Sequence, residues 1–261
     1  MKTALITGAS SGIGKELAII HAKNGGNLVI VARREKSLLN LKYSLQDEYG
    51  VDVEVIVQDL QVEKAAQLVF DQIASKNITI DYLINNAGFG DNQLFKQSDP
   101  SRNRMMMQLN MNALTELTHL FVSYWIKNKI CGKIMNVAST AAFQAVPYFA
   151  LYAATKAFVL SFSEGLSLEL KNDNITVTAL CPGPTKTEFA ANSNMDQDLA
   201  DHKMLPTAED VARFGYKKMI RGQSVAVHGI LNKAGTTSGK LFPRKISAYV
   251  AGQIMKKAGK H

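Results

Sequence analysis

The chain is short of several features, and each shortage excludes a class of protein. It has 2 cysteines in 261 residues, Cys131 and Cys181, too few for the disulfide framework of a small secreted domain. Both lie in or beside apolar strand patterns, so they read as small buried side chains. Its 5 histidines, at 21, 119, 202, 228 and 261, have neither metal-ligand spacing nor a paired acidic motif, and no metal is expected. No apolar run approaches the roughly 18 residues that a membrane-spanning helix needs. The first strand pattern begins almost at Met1, in "KTALITGASSGIG", which leads us to expect no leader peptide and a cytoplasmic home. Acidic residues are missing from the end: beyond Asp210 there are 11 Lys or Arg and no Asp or Glu, whereas the first 210 residues carry 19 basic and 22 acidic side chains. Basic and aromatic residues do not interleave there, so no nucleic-acid partner is expected.

What is present is an alternation. Short β-rich runs, "TALIT", "NLVIVA", "VEVIVQ", "IDYLIN", "GKIMNVAS", "ITVTALCPG" and "SVAVHG", are separated by helix-length segments. Most of them are continuously apolar, as strands buried on both faces are, and the intervening helices supply the crossovers of a parallel sheet. The expected fold class is α/β: a single-domain Rossmann fold, a doubly wound parallel sheet of seven strands with helices on both faces. With no repeat or linker, residues 1–261 read as one dinucleotide-binding and catalytic domain. The long aperiodic stretch 187–207 is the expected substrate lid. The basic segment 240–261 includes Ile246, Tyr249, Val250 and Ile254 at helical spacing among basic residues. That amphipathic helix is expected to pack on its own domain or on a partner subunit, with contact to an anionic membrane surface as the lesser alternative.

In an open parallel sheet the ligand crevice lies beyond the carboxyl ends of the strands. After the first strand stands "TGASSGIG", Thr7 to Gly14. Gly8, Gly12 and Gly14 let the backbone turn tightly, and Ser10, Ser11 and Ile13 complete a loop that opens a helix, whose N-terminus suits a pyrophosphate. After the second strand stand Arg33 and Arg34, where an NAD-binding sheet would carry an acidic acceptor for the ribose 2′-hydroxyl. A guanidinium instead grips a 2′-phosphate, so NADP(H) is favoured over NAD(H), with Glu35 leaving NAD(H) as the alternative. Asp59 and Leu60 follow the third strand and Asn86, Ala87 and Gly88 the fourth; Ser139 follows the fifth, and Pro182, Gly183, Thr185 and Thr187 the sixth.

"YAATK", residues 152 to 156, adds a tyrosine and a lysine at i and i+4, which share one face of a helix. A phenol titrates near pH 10, and a cation about 4 Å away in a partly buried site contributes about 4 kcal/mol toward its anion. Alone, such a pair reads equally as a surface tyrosine and a snorkelling lysine.

Taken together, "TGASSGIG", "NNAG", "YAATK" and "PGPTKT", in this order and spacing, resemble the short-chain dehydrogenase/reductase family in its compact form over most of the chain. The resemblance implies an oxidoreductase that interconverts a carbonyl and a secondary alcohol. Tyr152 would exchange the proton, Ser139 would hold the carbonyl, and Lys156 would bind the nicotinamide ribose and lower the tyrosine pKa. Asn110 would anchor a water, with Asn112 a nearby rival for that role. Thr185 and Thr187 would touch the nicotinamide carboxamide, and a homodimer or homotetramer is implied. The apolar "TAAFQAVPYFAL" before Tyr152 points to a hydrophobic small-molecule substrate. The alternative is an NADP-binding sensor or scaffold without turnover.

Overall fold

The computed structural model describes residues 1–196, 205–238 and 243–259. Seven strands form one sheet: β1 (Thr3–Thr7), β2 (Asn27–Ala32), β3 (Val53–Val57), β4 (Tyr82–Asn85), β5 (Lys133–Val137), β6 (Thr176–Cys181) and β7 (Val225–Val227). Every pairing is parallel, and the spatial order is β3-β2-β1-β4-β5-β6-β7. The chain winds outward from β1 to β3 and then returns to place β4 beside β1. That reversal opens a crevice at the carboxyl ends of β1 and β4, where a doubly wound sheet takes its ligand. All seven runs read from the sequence are strands, trimmed at their ends where the flanking residues turn away from the sheet.

Two helical layers cover the sheet. Helices α1 (Gly12–Lys23), α2 (Glu35–Tyr49) and α7 (Ala208–Ile220) bury Leu17, Leu38, Leu45, Val211 and Met219 on one face. On the other, α3 (Ala65–Ser75) and α5 (Leu114–Asn128) contribute Val69, Ile73, Leu117, Phe121 and Trp125. Trp125 is fully buried, and its indole N–H donates to the Ile80 carbonyl at 2.6 Å. Truncating such a side chain to alanine costs about 3–5 kcal/mol.

Helix α6 (Ala150–Glu169) is held to the sheet by a buried polar chain. Asn85 donates to Asn136 at 3.0 Å and to Thr118 of α5 at 3.1 Å; Asn136 donates to Ser163 of α6 at 3.0 Å, and Ser163 to the Val159 carbonyl at 2.7 Å. Buried polar groups paired in series fix a unique arrangement, because any slip leaves a donor unpaired at about 1–3 kcal/mol. This chain sets the position of α6.

Two expectations are corrected here. Cys181 is buried at the end of β6, but Cys131 is exposed, because it lies in the turn ahead of β5 and not in the strand. The tail does form a helix, α9 (Arg244–Ala258), preceded by α8 (Ile230–Ser238). It packs through Ala251, Gly252 and Ala258, however, while Ile246, Tyr249, Val250 and Ile254 face outward. The large side chains of the periodic pattern are therefore not its packing face. Residues 197–204 of the expected lid, and 240–242 and 260–261 of the basic segment, lie outside the described residues.

Candidate active site

The turn after β1 is built by glycine. Gly8 and Gly12 have φ of +67° and +54°, in the left-handed region that side-chain-bearing residues avoid. A Cβ on Gly14 would lie 2.4 Å from both the Asn86 amide nitrogen and the Gly8 carbonyl oxygen. Asn86 ties this turn to the β4 end, donating to the carbonyls of Thr7 and Gly8 at 3.0 and 3.2 Å, while Thr7 Oγ1 accepts from the N–H groups of Asn86 and Ala87, each at 3.0 Å. Helix α1 begins here with Ser11 as its N-cap, without a side-chain capping bond and with no acid in its first turn. Its first N–H groups and the positive end of its dipole are thus free to meet an anion.

Beside this turn, Arg34 donates to Ser10 Oγ at 3.1 Å and pairs with Glu188 at 2.9 Å. Arg33 lies 3.8 Å from Asp59, and both of these side chains are substantially exposed. Leu60 is buried next to Asp59. Thr187 approaches Gly12 from the opposite side, with its Cγ2 3.2 Å from where a glycine Cβ would stand. Pro182 accepts from the Thr140 N–H at 2.8 Å, Thr185 donates to the Gly183 carbonyl at 2.9 Å, and Thr187 Oγ1 accepts from the Phe189 N–H at 3.2 Å. Hydrogen bonds, ion pairs and close approaches thus join residues that follow β1, β2, β3, β4 and β6 at the carboxyl edge of the sheet, and the free N-terminus of α1 among them could hold a dinucleotide phosphate.

Tyr152 and Lys156 share one face of α6, with the ammonium 5.7 Å from the phenol ring centre. Ser139 stands near enough to the phenol to lower it, and it also caps a short helical turn, accepting from the Ala141 N–H at 3.1 Å. Asn110 comes from a π-helical segment, Gln108–Ala113, between α4 (Pro100–Met107) and α5. The widened turn directs Asn110 inward, where it exchanges both hydrogen bonds with the Phe89 backbone at 3.1 and 3.0 Å and donates to Thr155 at 3.0 Å. Such single π turns often mark functional positions. Asn110 and Lys156 converge on Gly88, each within 3.3 Å of where its Cβ would stand. Asn112 instead faces outward and bonds Gln108, so of the two asparagines it is Asn110 that lies beside Lys156.

The electrostatics correct one expectation. Burial pushes the Tyr152 phenol up to about 12, with the Ser139 hydrogen bond opposing it, and holds the Lys156 ammonium down to about 8. The lysine does not lower the phenol on its own, because Nζ donates to the Val137 carbonyl at 2.7 Å instead of reaching the phenol oxygen. Among the protein's own groups desolvation outweighs the single cation.

Aromatic side chains close the front of Tyr152. Phe149 lies against its ring at 4.3 Å between centres and Phe189 at 5.4 Å, with Met106, Val146, Met195 and Met255 in the same apolar cluster. Tyr148, just before Phe149, holds a φ of +66°, and its carbonyl accepts from the Gln93 N–H at 2.8 Å. Phe189, Met195 and Met255 were not legible as site residues, nor was Asp91, whose buried carboxylate pairs with Arg102 at 3.3 Å and accepts from Asn194. These groups converge only through the fold. Two surface cavities, of about 360 and 390 Å³, flank α7 and β7 and contain none of the residues selected above.

Comparison with known proteins places this arrangement. The family model for short chain dehydrogenase matches residues 2–198. The chain is 32% identical over 234 residues to the 11-beta-hydroxysteroid dehydrogenase A of Sesamum indicum, covering 85% of this chain and 66% of that protein. The chain thus spans slightly under two thirds of that relative's length. Among solved structures it resembles a short-chain dehydrogenase from Sphingobium yanoikuyae in complex with NADPH, with a TM-score of 0.83 and 31% identity over 92% of this chain and 94% of that one. It also resembles the 3-ketoacyl-(acyl-carrier-protein) reductase of Brucella melitensis complexed with NADH, with a TM-score of 0.76 and 28% identity over 87% and 95%. The glycine turn, the Tyr152–Lys156 helix and the sheet order thus occur in a chain that belongs to the short-chain dehydrogenases, a family of nicotinamide-dependent oxidoreductases.

Proposed function

We propose that the chain is an NADP(H)-dependent reductase or dehydrogenase that interconverts a carbonyl and a secondary alcohol on a hydrophobic small molecule. The observation that carries the reading is the meeting of Ser139, Tyr152, Lys156 and Asn110 beside a glycine turn at the carboxyl ends of the strands. In this reading residues 1–261 work as a single unit. Gly8, Ser10, Ser11, Gly12, Ile13 and Gly14 hold the pyrophosphate, with charge-assisted help from the α1 N-terminus. Arg33 and Arg34 take the 2′-phosphate, exchanging their exposed carboxylate partners for a doubly charged one. Asp59 and Leu60, beside Arg33, would belong to the same end of the cofactor site. Asn86, Ala87, Gly88, Lys156, Pro182, Gly183, Thr185 and Thr187 surround the nicotinamide end.

The bound nicotinamide supplies or accepts the hydride. Ser139 donates a hydrogen bond to the substrate oxygen, and Tyr152 gives that oxygen its proton during reduction or removes it during oxidation. A phenol near 12 stays protonated at neutral pH, so it holds the proton that reduction needs but gives it up reluctantly. Positive charge brought near the ring, from Lys156 and from an oxidised cofactor, lowers the phenol for the reverse direction. Asn110 anchors a water that links Lys156 to solvent.

The aromatic and methionine wall around Tyr152 supports an apolar substrate, as does the steroid named for the sesame relative. The NADPH-bound neighbour supports the cofactor choice only in part, since the Brucella relative holds NADH; Arg33 and Arg34 carry it. Exposed Ile126 on α5 and Phe158 and Leu168 on α6 support assembly into a homodimer or homotetramer. The test is reduction of a panel of ketosteroids, bulky aryl ketones and small polar ketones with NADPH and NADH in parallel. The reading expects NADPH-dependent turnover of the apolar ketones. Tight NADPH binding without turnover of any ketone or of the matching alcohols would favour a sensor.

A further inference from the structure

The outward face of α9 has no partner among the described residues. Ile246, Tyr249, Val250 and Ile254 are 53%, 68%, 53% and 61% exposed. Their spacing of i, i+3, i+4 and i+8 gathers them on one stripe of the helix. Arg244, Lys245, Lys256 and Lys257 are also exposed, and none forms an ion pair among the described residues. The helix contains no acidic residue. An apolar stripe this open on one short helix departs from the scattered exposure of ordinary surface residues.

The inner face of the same helix is firmly seated. Gly252 lies so close to Pro147 that a side chain here would stand 3.0 Å from the Pro147 Cγ, tighter than ordinary contact. Asn92 donates to the Met255 carbonyl at 3.2 Å, and the Asp196 N–H donates to the Ala258 carbonyl at 2.8 Å. Ala251 packs in the apolar cluster that contains Tyr152. The outer stripe therefore stands on a fixed platform.

We propose that this outer face of α9 rests on an anionic phospholipid surface. Charge decides between the occupants. A second copy of the chain, related by a two-fold axis, would set one cationic helix against another and repel it. An anionic bilayer offers both complements at once: headgroup phosphates for Lys245, Lys256 and Lys257, and the acyl boundary for the apolar stripe. Lys257 lies within the stripe's arc, where its aliphatic stem can follow the apolar side chains while the ammonium stays at the headgroups. Helix α9 itself carries no acid to oppose the membrane's negative potential. This inference does not rest on the reaction proposed above, and its assay reads no turnover.

The test is co-sedimentation of the full chain with large vesicles of phosphatidylcholine containing about a third phosphatidylserine, and with vesicles of phosphatidylcholine alone, at low salt. Two variants are compared, Ile246→Ser/Ile254→Ser and Lys256→Gln/Lys257→Gln; all four positions are exposed, so melting temperatures should match the wild type. Each cation near an anionic surface strengthens binding about fivefold, so the lysine pair should weaken it about thirtyfold. The isoleucine pair should weaken it at least tenfold. Wild type should ignore the neutral vesicles and detach at high salt. Three results overturn the proposal. One is wild-type protein that stays in solution with anionic vesicles or sediments no worse once substituted. The second is loss of an oligomer in Ile246→Ser/Ile254→Ser, which would assign the face to a second copy. The third is a duplex oligonucleotide that outcompetes the vesicles for the same face.

Discussion

Replacing Lys156 with methionine should flatten the rise of folding stability with pH above pH 8. Burial lowers the ammonium to about 8 in the folded chain, against 10.5 for an ordinary lysine. Between those values the unfolded chain holds a proton that the folded chain has released, so unfolding takes up a proton and stability rises with pH. Below pH 8 both states are protonated, and the whole cost of burying the charge is borne. At about 1.36 kcal/mol for each pH unit that cost is about 3 kcal/mol. Methionine relieves it, but leaves the Val137 carbonyl without the 2.7 Å donor, which costs about 1–3 kcal/mol. The two nearly cancel at pH 7, so the level of stability is a poor readout and the slope is the informative one. Tyr152 acts at higher pH and in the opposite sense: its phenol lies near 12 when folded, so stability falls from about pH 10 upward, equally in both proteins. Urea unfolding at fixed protein concentration between pH 7 and pH 10 should show the wild type gaining about 2 kcal/mol on Lys156→Met. Parallel curves would mean that the ammonium is not desolvated, and the account of how it meets the phenol would fail with it.

Arg33→Ala should weaken NADPH roughly tenfold or more and leave NADH nearly unchanged, since a charge-assisted contact to phosphate is worth about 1.5–3 kcal/mol; titration of both cofactors reads this, and equal losses would remove the 2′-phosphate assignment. Gly14→Ala should cost about 1–3 kcal/mol through overpacking, because its Cβ would meet Asn86 and the Gly8 carbonyl oxygen at 2.4 Å; an unchanged melting temperature would show that the turn can give. Asn110→Leu should lose about 2 kcal/mol or more, since it strands the Phe89 N–H and C=O, whereas Asn112→Leu on the outer face should stay within about 0.5 kcal/mol. Equal melting temperatures for the two variants would contradict the inward placement of Asn110.

The strands were legible because a sheet buried on both faces needs unbroken apolar runs, and the seven runs have no competing helical period. The candidate site residues could be picked out because they follow strand ends, where the topology collects them: Gly8 to Gly14, Asn86 to Gly88, Ser139 and Pro182 to Thr187 lie along one edge of the sheet although they are far apart in sequence. What stayed hidden depends on side-chain direction. The π turn that separates Asn110 from Asn112 has no composition signal, since both are asparagines in helical sequence. In α9 the spacing located a helix, but small residues, Ala251, Gly252 and Ala258, make its packing face, and periodicity of large apolar residues points to the other side. Lys156 shares a face with Tyr152 as i and i+4 must, yet shared face says nothing of where Nζ finds its acceptor. Phe189 and Met195 reach the Tyr152 cluster from the 187–207 stretch, which has no period from which a shape could be read.

The measurement that bears most directly on the account is the single-turnover rate of hydride transfer in Tyr152→Phe, beside its affinity for NADPH. The reporter is whichever ketone of the panel the wild type reduces fastest. Phenylalanine keeps the ring against Phe149 and Phe189 and removes only the hydroxyl that Ser139 contacts. If Tyr152 carries the proton, the rate falls at least a hundredfold while NADPH affinity is unchanged, the usual scale of general acid catalysis. A variant that keeps more than about a tenth of the wild-type rate would contradict it.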